Sequence, residues 1–393
     1  MPKSLKDFLT KKYEKTGAVN ILTEIEFLDT GIPSLNYVLS GRPLTGGIPL
    51  SGKMTMMYGP EGAGKTSLVN QIISQAQKKD FDVVYIDTER SITQPRLKQF
   101  GIDIDKMTYA TPEYIEEVFD VIESVCIYRL AEKDDIRTLV IWDSIAGTPA
   151  KMTLERDADD NEMAADARAL TRGLKRVRGK IKNSNVGVLF VNQARANLER
   201  FGDLFSLPGG FALKHMVDLV VRVNKSKDKT RTDGQIIKFS TPDKNRMFRP
   251  FQSTDVFFDF DRCFTRENLI ESYVEFLINV GIFVKAGISY APVYDVMELA
   301  KTKNIEFDEA LEEVKKRRKA DWYKFLQDDN EWTKLLKDTE DYIQKNIRDI
   351  AEKGKDDESV MIAEAAAKKA KEDYKGQEEE IREILNEDDN EEK

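Results

Sequence analysis

Eight consecutive residues carry the clearest chemical signal in the chain: Gly59-Pro60-Glu61-Gly62-Ala63-Gly64-Lys65-Thr66. Glycines at this spacing let the backbone wrap closely and aim its N–H groups at phosphate oxygens. Lys65 is placed to reach β- and γ-phosphates, and Thr66 offers a hydroxyl to Mg²⁺. Ser67 follows at the start of a helical stretch, whose N-terminus adds partial positive charge. This predicts a nucleotide site, with ATP and Mg²⁺ as ligands. The bland alternative is a glycine-rich turn with a solvated lysine.

Two carboxylates sit where such a site needs them. Thr138-Leu-Val-Ile-Trp-Asp143 reads as a buried strand ending in an acid that can hold Mg²⁺. Val83-Val-Tyr-Ile-Asp-Thr-Glu89 reads as another strand delivering an acid to the same sheet edge, the edge that carries sites in open α/β sheets. Glu89 there can act as the general base that orients water, or simply cap or solvate a turn.

The elements that must position these groups are legible in outline. Apolar runs at Lys53–Tyr58, Asp82–Ile86, Thr138–Trp142, Val186–Val191 and Leu219–Val223 predict strands. Tyr114–Leu130 has helical spacing, and Asp166–Ile181 is a basic helix. Fully apolar strands separated by helices imply a mostly parallel sheet covered on both faces. Residues 3–15 read as a short amphipathic helix, Ala18–Leu22 as an edge strand, and Leu28–Ser51 as a stretch rich in Gly and Pro. Composition shifts near Thr265. Charged helices then run to about residue 350, with a basic cluster at Lys315 to Lys319.

Composition excludes several classes. The chain has 393 residues, 40% apolar and 33% charged, and contains no apolar run of membrane-spanning length. Isolated Cys126 and Cys263 exclude a disulfide framework and fit a reducing cytoplasm. One histidine, His215, cannot build a histidine metal site alone. The net charge of −9 is concentrated at the end: residues 351–393 hold 16 acids and 8 bases. Such a tail either solubilises the chain or competes with nucleic acid for a basic surface.

With these motifs in hand, the chain resembles the RecA family from about Lys6 to about Ile350. GPEGAGKT is similar to the family's phosphate-binding loop, and IDTER to its segment with the catalytic glutamate, which falls on Glu89. VIWDSIAGTPA is similar to the second nucleotide motif. VLFVNQARAN followed by PGGFALKH is similar to the switch and second DNA loop, and places the γ-phosphate sensor at Gln193. The segment Asp243 to Phe251 resembles the one whose two cations reach a neighbour's γ-phosphate, here Lys244 and Arg246. The position of the adenine-stacking tyrosine falls on Arg96, a departure, although a guanidinium can stack.

The resemblance implies a RecA-type P-loop NTPase core of α/β class at 31–264. A helix–strand polymerisation arm is expected at 1–30, a small α+β C-terminal domain at 265–350, and an acidic tail at 351–393. It implies DNA contacts by Met163, Arg168, Arg172, Lys175 and Arg176 in and after a first loop. A second loop would use Arg195, Phe201, Phe205, Gly209 and Gly210. Its phenylalanines either stack on bases or pack in a core. The acids Glu155, Asp157, Asp159 and Asp160 in the first loop depart from a DNA-binding pattern.

The expected function is a DNA-dependent ATPase that forms a helical homo-oligomeric filament on single-stranded DNA and exchanges strands with double-stranded DNA. The setting is recombination and repair in the cytoplasm, or a host cytoplasm for a phage recombinase of the UvsX kind. Single-strand-binding and mediator proteins are further expected partners, and no membrane is involved. A hexameric helicase-like motor and a clock-like ATP assembly are the other classes the motifs allow.

Overall fold

The computed structural model describes residues 24–132, 135–154, 162–196, 205–206, 210–226, 231–242 and 244–353. Its strands, in chain order, are β1 (Phe27–Leu28), β2 (Ile48–Pro49), β3 (Met54–Gly59), β4 (Asp82–Asp87), β5 (Met107–Ala110), β6 (Thr138–Asp143) and β7 (Val186–Gln193). There follow β8 (Arg195–Ala196), β9 (Phe205–Ser206), β10 (Leu219–Ser226), β11 (Gly234–Ser240), β12 (Ser253–Asp259), β13 (Phe283–Ala286) and β14 (Ser289–Pro292).

Eight of these form one sheet in the order β12-β11-β10-β3-β7-β6-β4-β5. From β10 to β5 neighbouring strands are parallel, while β10, β11 and β12 run antiparallel. Side chains alternate across a strand, and the packing follows that alternation. Leu139, Ile141, Leu189 and Val191 enter one core with the helix Lys65–Lys78. Val140, Trp142, Val188 and Phe190 enter a second core with the helices Ile115–Glu132 and Glu162–Lys182. Both faces are therefore dry, which explains why these strands read as continuous apolar runs.

On the second face the two long helices approach unusually closely at Gly173. A Cβ there would stand 1.9 Å from the Phe119 ring. That ring in turn packs edge-on to Trp142, centroids 5.6 Å apart.

The first core continues into the C-terminal region. Thr265 caps the helix Arg266–Asn279 by accepting the Asn268 N–H at 3.3 Å. Ile270, Tyr273, Trp322, Leu326 and Trp332 all join that same core. The last described helix, Asp329–Lys353, is tied back to the loop before β2. The Glu340 carboxylate accepts the backbone N–H groups of Leu44 and Thr45 at 2.9 and 3.0 Å.

Several expectations are revised. Leu28–Ser51 is more than a glycine- and proline-rich connection: it contains a helix, Pro33–Ser40, started by Pro33 and stopped by Gly41 at φ 70°. The basic helix begins at Glu162 rather than Asp166. The β11–β12 extension has no counterpart in the sequence reading. The expected helix at 3–15 and strand at 18–22 lie outside the described residues, as does the tail from residue 354. Residues 351–353 continue the last helix. The basic cluster is largely engaged: Lys316 pairs with Glu312 at 3.2 Å, Lys319 with Glu275 at 2.6 Å, and Arg317 stacks on Phe325 at 3.6 Å. Among the described residues, no helix is long and apolar enough to cross a membrane.

Candidate nucleotide and nucleic-acid site

Strand register brings the candidate groups together. Gly59 at the end of β3 lies opposite Gln193 at the end of β7, and Asp87 at the end of β4 lies opposite Asp143 at the end of β6. Four carboxyl-terminal strand ends thus meet along one edge, where loops and a helix N-terminus converge.

The loop Gly59–Thr66 needs its glycines for space as well as conformation. A Cβ on Gly59 would come within 2.0 Å of the Val223 carbonyl oxygen. Gly62 and Gly64 hold φ 66° and 96°, a region that L side chains rarely adopt. Ala63 is buried. Lys65 is also buried, and its ammonium donates to the carbonyls of Gly59 and Pro60 at 3.0 and 2.8 Å. Burial lowers its proton affinity, while Asp143, Glu89 and Glu61 oppose that and nearby Lys225 adds to it.

Asp143 is the centre of a second group. Its Oδ2 accepts the Tyr85 hydroxyl at 2.9 Å and the Thr66 hydroxyl at 3.3 Å. Burial pushes its carboxyl up to about 6; the bonds from Tyr85 and Thr66 pull it back, and Glu89 and Asp87 push it further. A hydroxyl and a carboxylate facing each other beside the loop are hard oxygen donors suited to Mg²⁺. Asp87 has a different job. It accepts the N–H groups of Ser91 and Ile92 and the Tyr109 hydroxyl, which fixes the turn bearing Glu89.

Glu89 is exposed, and its Oε1 accepts from Gln193 Nε2 at 3.0 Å and from the Ser144 hydroxyl. Gly147 packs against it, with a Cβ position 2.9 Å from Glu89 Cγ. The Thr88 and Thr148 hydroxyls bond to each other and to the Ser144 backbone N–H and carbonyl under this pair. Sequence reasoning did not single out Ser144, Thr88 or Tyr85. The only signal was a small hydroxyl residue beside each strand-end acid, which is common in turns.

Arg96 donates to Ser67 Oγ at 3.3 Å and to the Phe260 carbonyl at 3.4 Å, and its guanidinium lies over the Phe100 and Phe258 rings. It therefore stands at the first turn of the loop's helix, beside Ser67.

Lys244 and Arg246 are not part of this cluster. Lys244 donates to the carbonyls of Lys214 and His215 at 2.7 Å each. Arg246 pairs with Asp218 at 3.1 Å, and Asp218 in turn accepts the Met54 N–H. Both cations thus flank the amino ends of β3 and β10. Gly59 lies five residues along β3 from Met54, roughly 17 Å away at strand rise.

Arg168, Arg172, Lys175 and Arg176 are exposed on one helix. Arg168, Arg172 and Arg176 line a groove of about 640 Å³ with Lys151 and Glu116. Arg176 is already held by Asp120 and Glu123, at 2.7 and 3.2 Å. Among the second-loop candidates, Phe201 and Gly209 lie outside the described residues. Arg195 and Phe205 are placed by their backbones, each on one strand of the β8–β9 ladder. Gly210 opens the helix Gly210–Met216, and Met163 lies in the first turn of Glu162–Lys182.

Comparison with known sequences gives the family. A family model of the RecA N-terminal domain matches residues 4–264. Protein RecA of Aquifex pyrophilus is 29% identical over 304 residues, covering 75% of this chain and 82% of that protein. Protein RecA of Malacoplasma penetrans is 30% identical over 318 residues, covering 78% and 92% respectively.

Proposed function

The chain belongs to the RecA family, and from that membership we propose that it is a recombination and repair ATPase that binds Mg²⁺–ATP and assembles head to tail on single-stranded DNA for strand exchange. The observation that carries this reading is the separation of Lys244 and Arg246 from the loop Gly59–Thr66. One chain holds its phosphate loop and its two candidate γ-phosphate cations at opposite ends of β3. Rigid strands cannot bend them onto one nucleotide, so both can serve only if adjacent copies share it.

Within one copy, the loop N–H groups and Lys65 bind and orient the polyphosphate. Thr66 and Asp143 would hold Mg²⁺, which when bound neutralises charge on the phosphates. Glu89 takes a proton from water as general base, aligned by Ser144 and Gln193. Gln193 lies two residues before Arg195, at the start of the second-loop ladder, so a change in its hydrogen bond to Glu89 has a short route to that loop. Arg168, Arg172 and Lys175 offer cations to DNA phosphates, with Arg176 contributing once released by its acids. Two features support an arm-mediated assembly. β5 is a sheet edge, and Tyr109 on it and Tyr128, which lines a groove together with Met107 and Thr108 of β5, are exposed large side chains.

The test is ATP hydrolysis with and without single-stranded DNA at two salt concentrations. Stimulation that fades with salt is expected, because phosphate contacts release counterions. Equal turnover with and without DNA would favour a DNA-independent assembly and remove the recombinase reading. Turnover that survives Lys65→Ala would remove the loop assignment.

A further inference from the structure

The β10–β11 hairpin turns one face toward the phosphate-binding loop. Lys225 pairs with Ile237, and residues two apart on a strand point the same way, so Lys225, Ile237 and Gln235 share that face. Their contacts run along the loop. Ile237 backs Gly64, its Cδ1 2.5 Å from where a Cβ would stand. Gln235 Nε2 donates to the Gly62 carbonyl at 3.5 Å. Lys225 Nζ lies 3.0 Å from the Cβ position of Gly62. Because Gly62 has no side chain, the ammonium occupies the space over the loop that any other residue would fill.

Lys225 is exposed on a flexible four-carbon stem. No described residue forms a hydrogen bond or ion pair with its ammonium, and its charge is felt at Lys65. Two ammonium groups therefore crowd the same glycine loop, with Glu61 as the loop's own acid. Crowded like charges repel each other unless an anion comes between them. The anion this loop is built to take is a polyphosphate.

We propose that Lys225 is a second phosphate ligand, supplied in cis from β10, which joins Lys65 on the polyphosphate of the bound nucleotide. The inference rests on the nucleotide reading above and adds a residue to it. It also gives the β10–β11 hairpin a direct contact with bound nucleotide, separate from the path through Gln193.

The test uses the full-length protein with Mg²⁺ and a fluorescent ATP analogue carrying its label on the ribose. Affinity is measured for the wild type, Lys225→Gln and Lys225→Arg, with circular dichroism to confirm the fold. Lys225→Gln is expected to weaken binding about tenfold, equivalent to about 1.4 kcal/mol. Lys225→Arg keeps the charge and should stay close to wild type. Wild-type affinity in Lys225→Gln overturns the inference while leaving the nucleotide reading intact. Unchanged nucleotide affinity with weakened single-stranded DNA binding also overturns it, and assigns the lysine to DNA. If the wild type binds no nucleotide, the function proposed above falls first.

Discussion

Replacing Asp143 with Asn should stabilise the protein in the absence of Mg²⁺ and nucleotide, and do so only at neutral and higher pH. Asp143 is buried, and its carboxyl is pushed from 3.8 up to about 6. A raised folded-state value means that the folded protein holds this proton more tightly than the unfolded chain. The resulting stability is fully present below pH 3.8 and is lost as pH climbs through about 6. Between about pH 5 and pH 8 the wild type should lose about 1.4 kcal/mol from this group. Asp143→Asn keeps an acceptor for Tyr85 and Thr66 and has no proton to lose, so it escapes that loss. The assay is urea unfolding in chelator at both pH values. Unfolding is followed by the near-ultraviolet signal of the buried Phe119–Trp142–Phe190 cluster. The variant's advantage over wild type should grow by about 1.4 kcal/mol from the lower to the higher pH. A pH-independent difference, or one that shrinks as pH rises, would refute the claim that burial disfavours the charged form of this carboxyl. The same variant should lose Mg²⁺-dependent nucleotide binding, because stability and metal affinity make opposite demands on one carboxylate.

Other perturbations probe separate parts of the argument. Glu89→Gln should leave nucleotide affinity unchanged and slow hydrolysis by roughly 10²-fold; unaltered turnover would show that the base is elsewhere. Gly173→Ala forces a Cβ into the Phe119 ring, so overpacking should cost roughly 1–3 kcal/mol and lower the melting temperature by several degrees. Gly179→Ala on the same helix meets nothing within 4 Å and should be neutral or slightly stabilising. Equal melting temperatures for these two variants would contradict the close helix crossing.

The parallel strands were legible because burial on both faces removes the polar residues that would break an apolar run. Thr138–Trp142 and Val186–Val191 were placed to within two residues of the observed β6 and β7. The β11–β12 extension was not legible. GQIIKFS and STDVFFD mix polar and apolar residues because those strands lie at the sheet margin, where burial is uneven. The helix Pro33–Ser40 was hidden by the glycines and prolines that bound it. Within the site, Lys65 in its glycine loop and the strand-end acids Asp143 and Glu89 announced themselves by type and spacing. Tyr85, Ser144 and Lys225 did not, because each acts by standing next to a residue distant in sequence: Tyr85 meets Asp143, Ser144 meets Glu89, and Lys225 meets Gly62.

Placing the phosphate loop and the pair Lys244 and Arg246 at opposite ends of β3 has a consequence for assembly, given the proposed sharing of ATP. A copy with one half-site at each end has a direction, and a contact that joins unlike ends leaves one of each exposed however many copies are added. Such a chain has distinguishable tips. The copy at one tip binds nucleotide without a neighbour's cations, and the copy at the other offers cations with nothing to meet them. Turnover per copy should therefore climb with chain length and level off once tips become a small fraction. Every joining step, the first included, completes one site at the cost of fixing one body, so this contact alone makes starting a chain no harder than extending it, and a lag in assembly would point to a second interface.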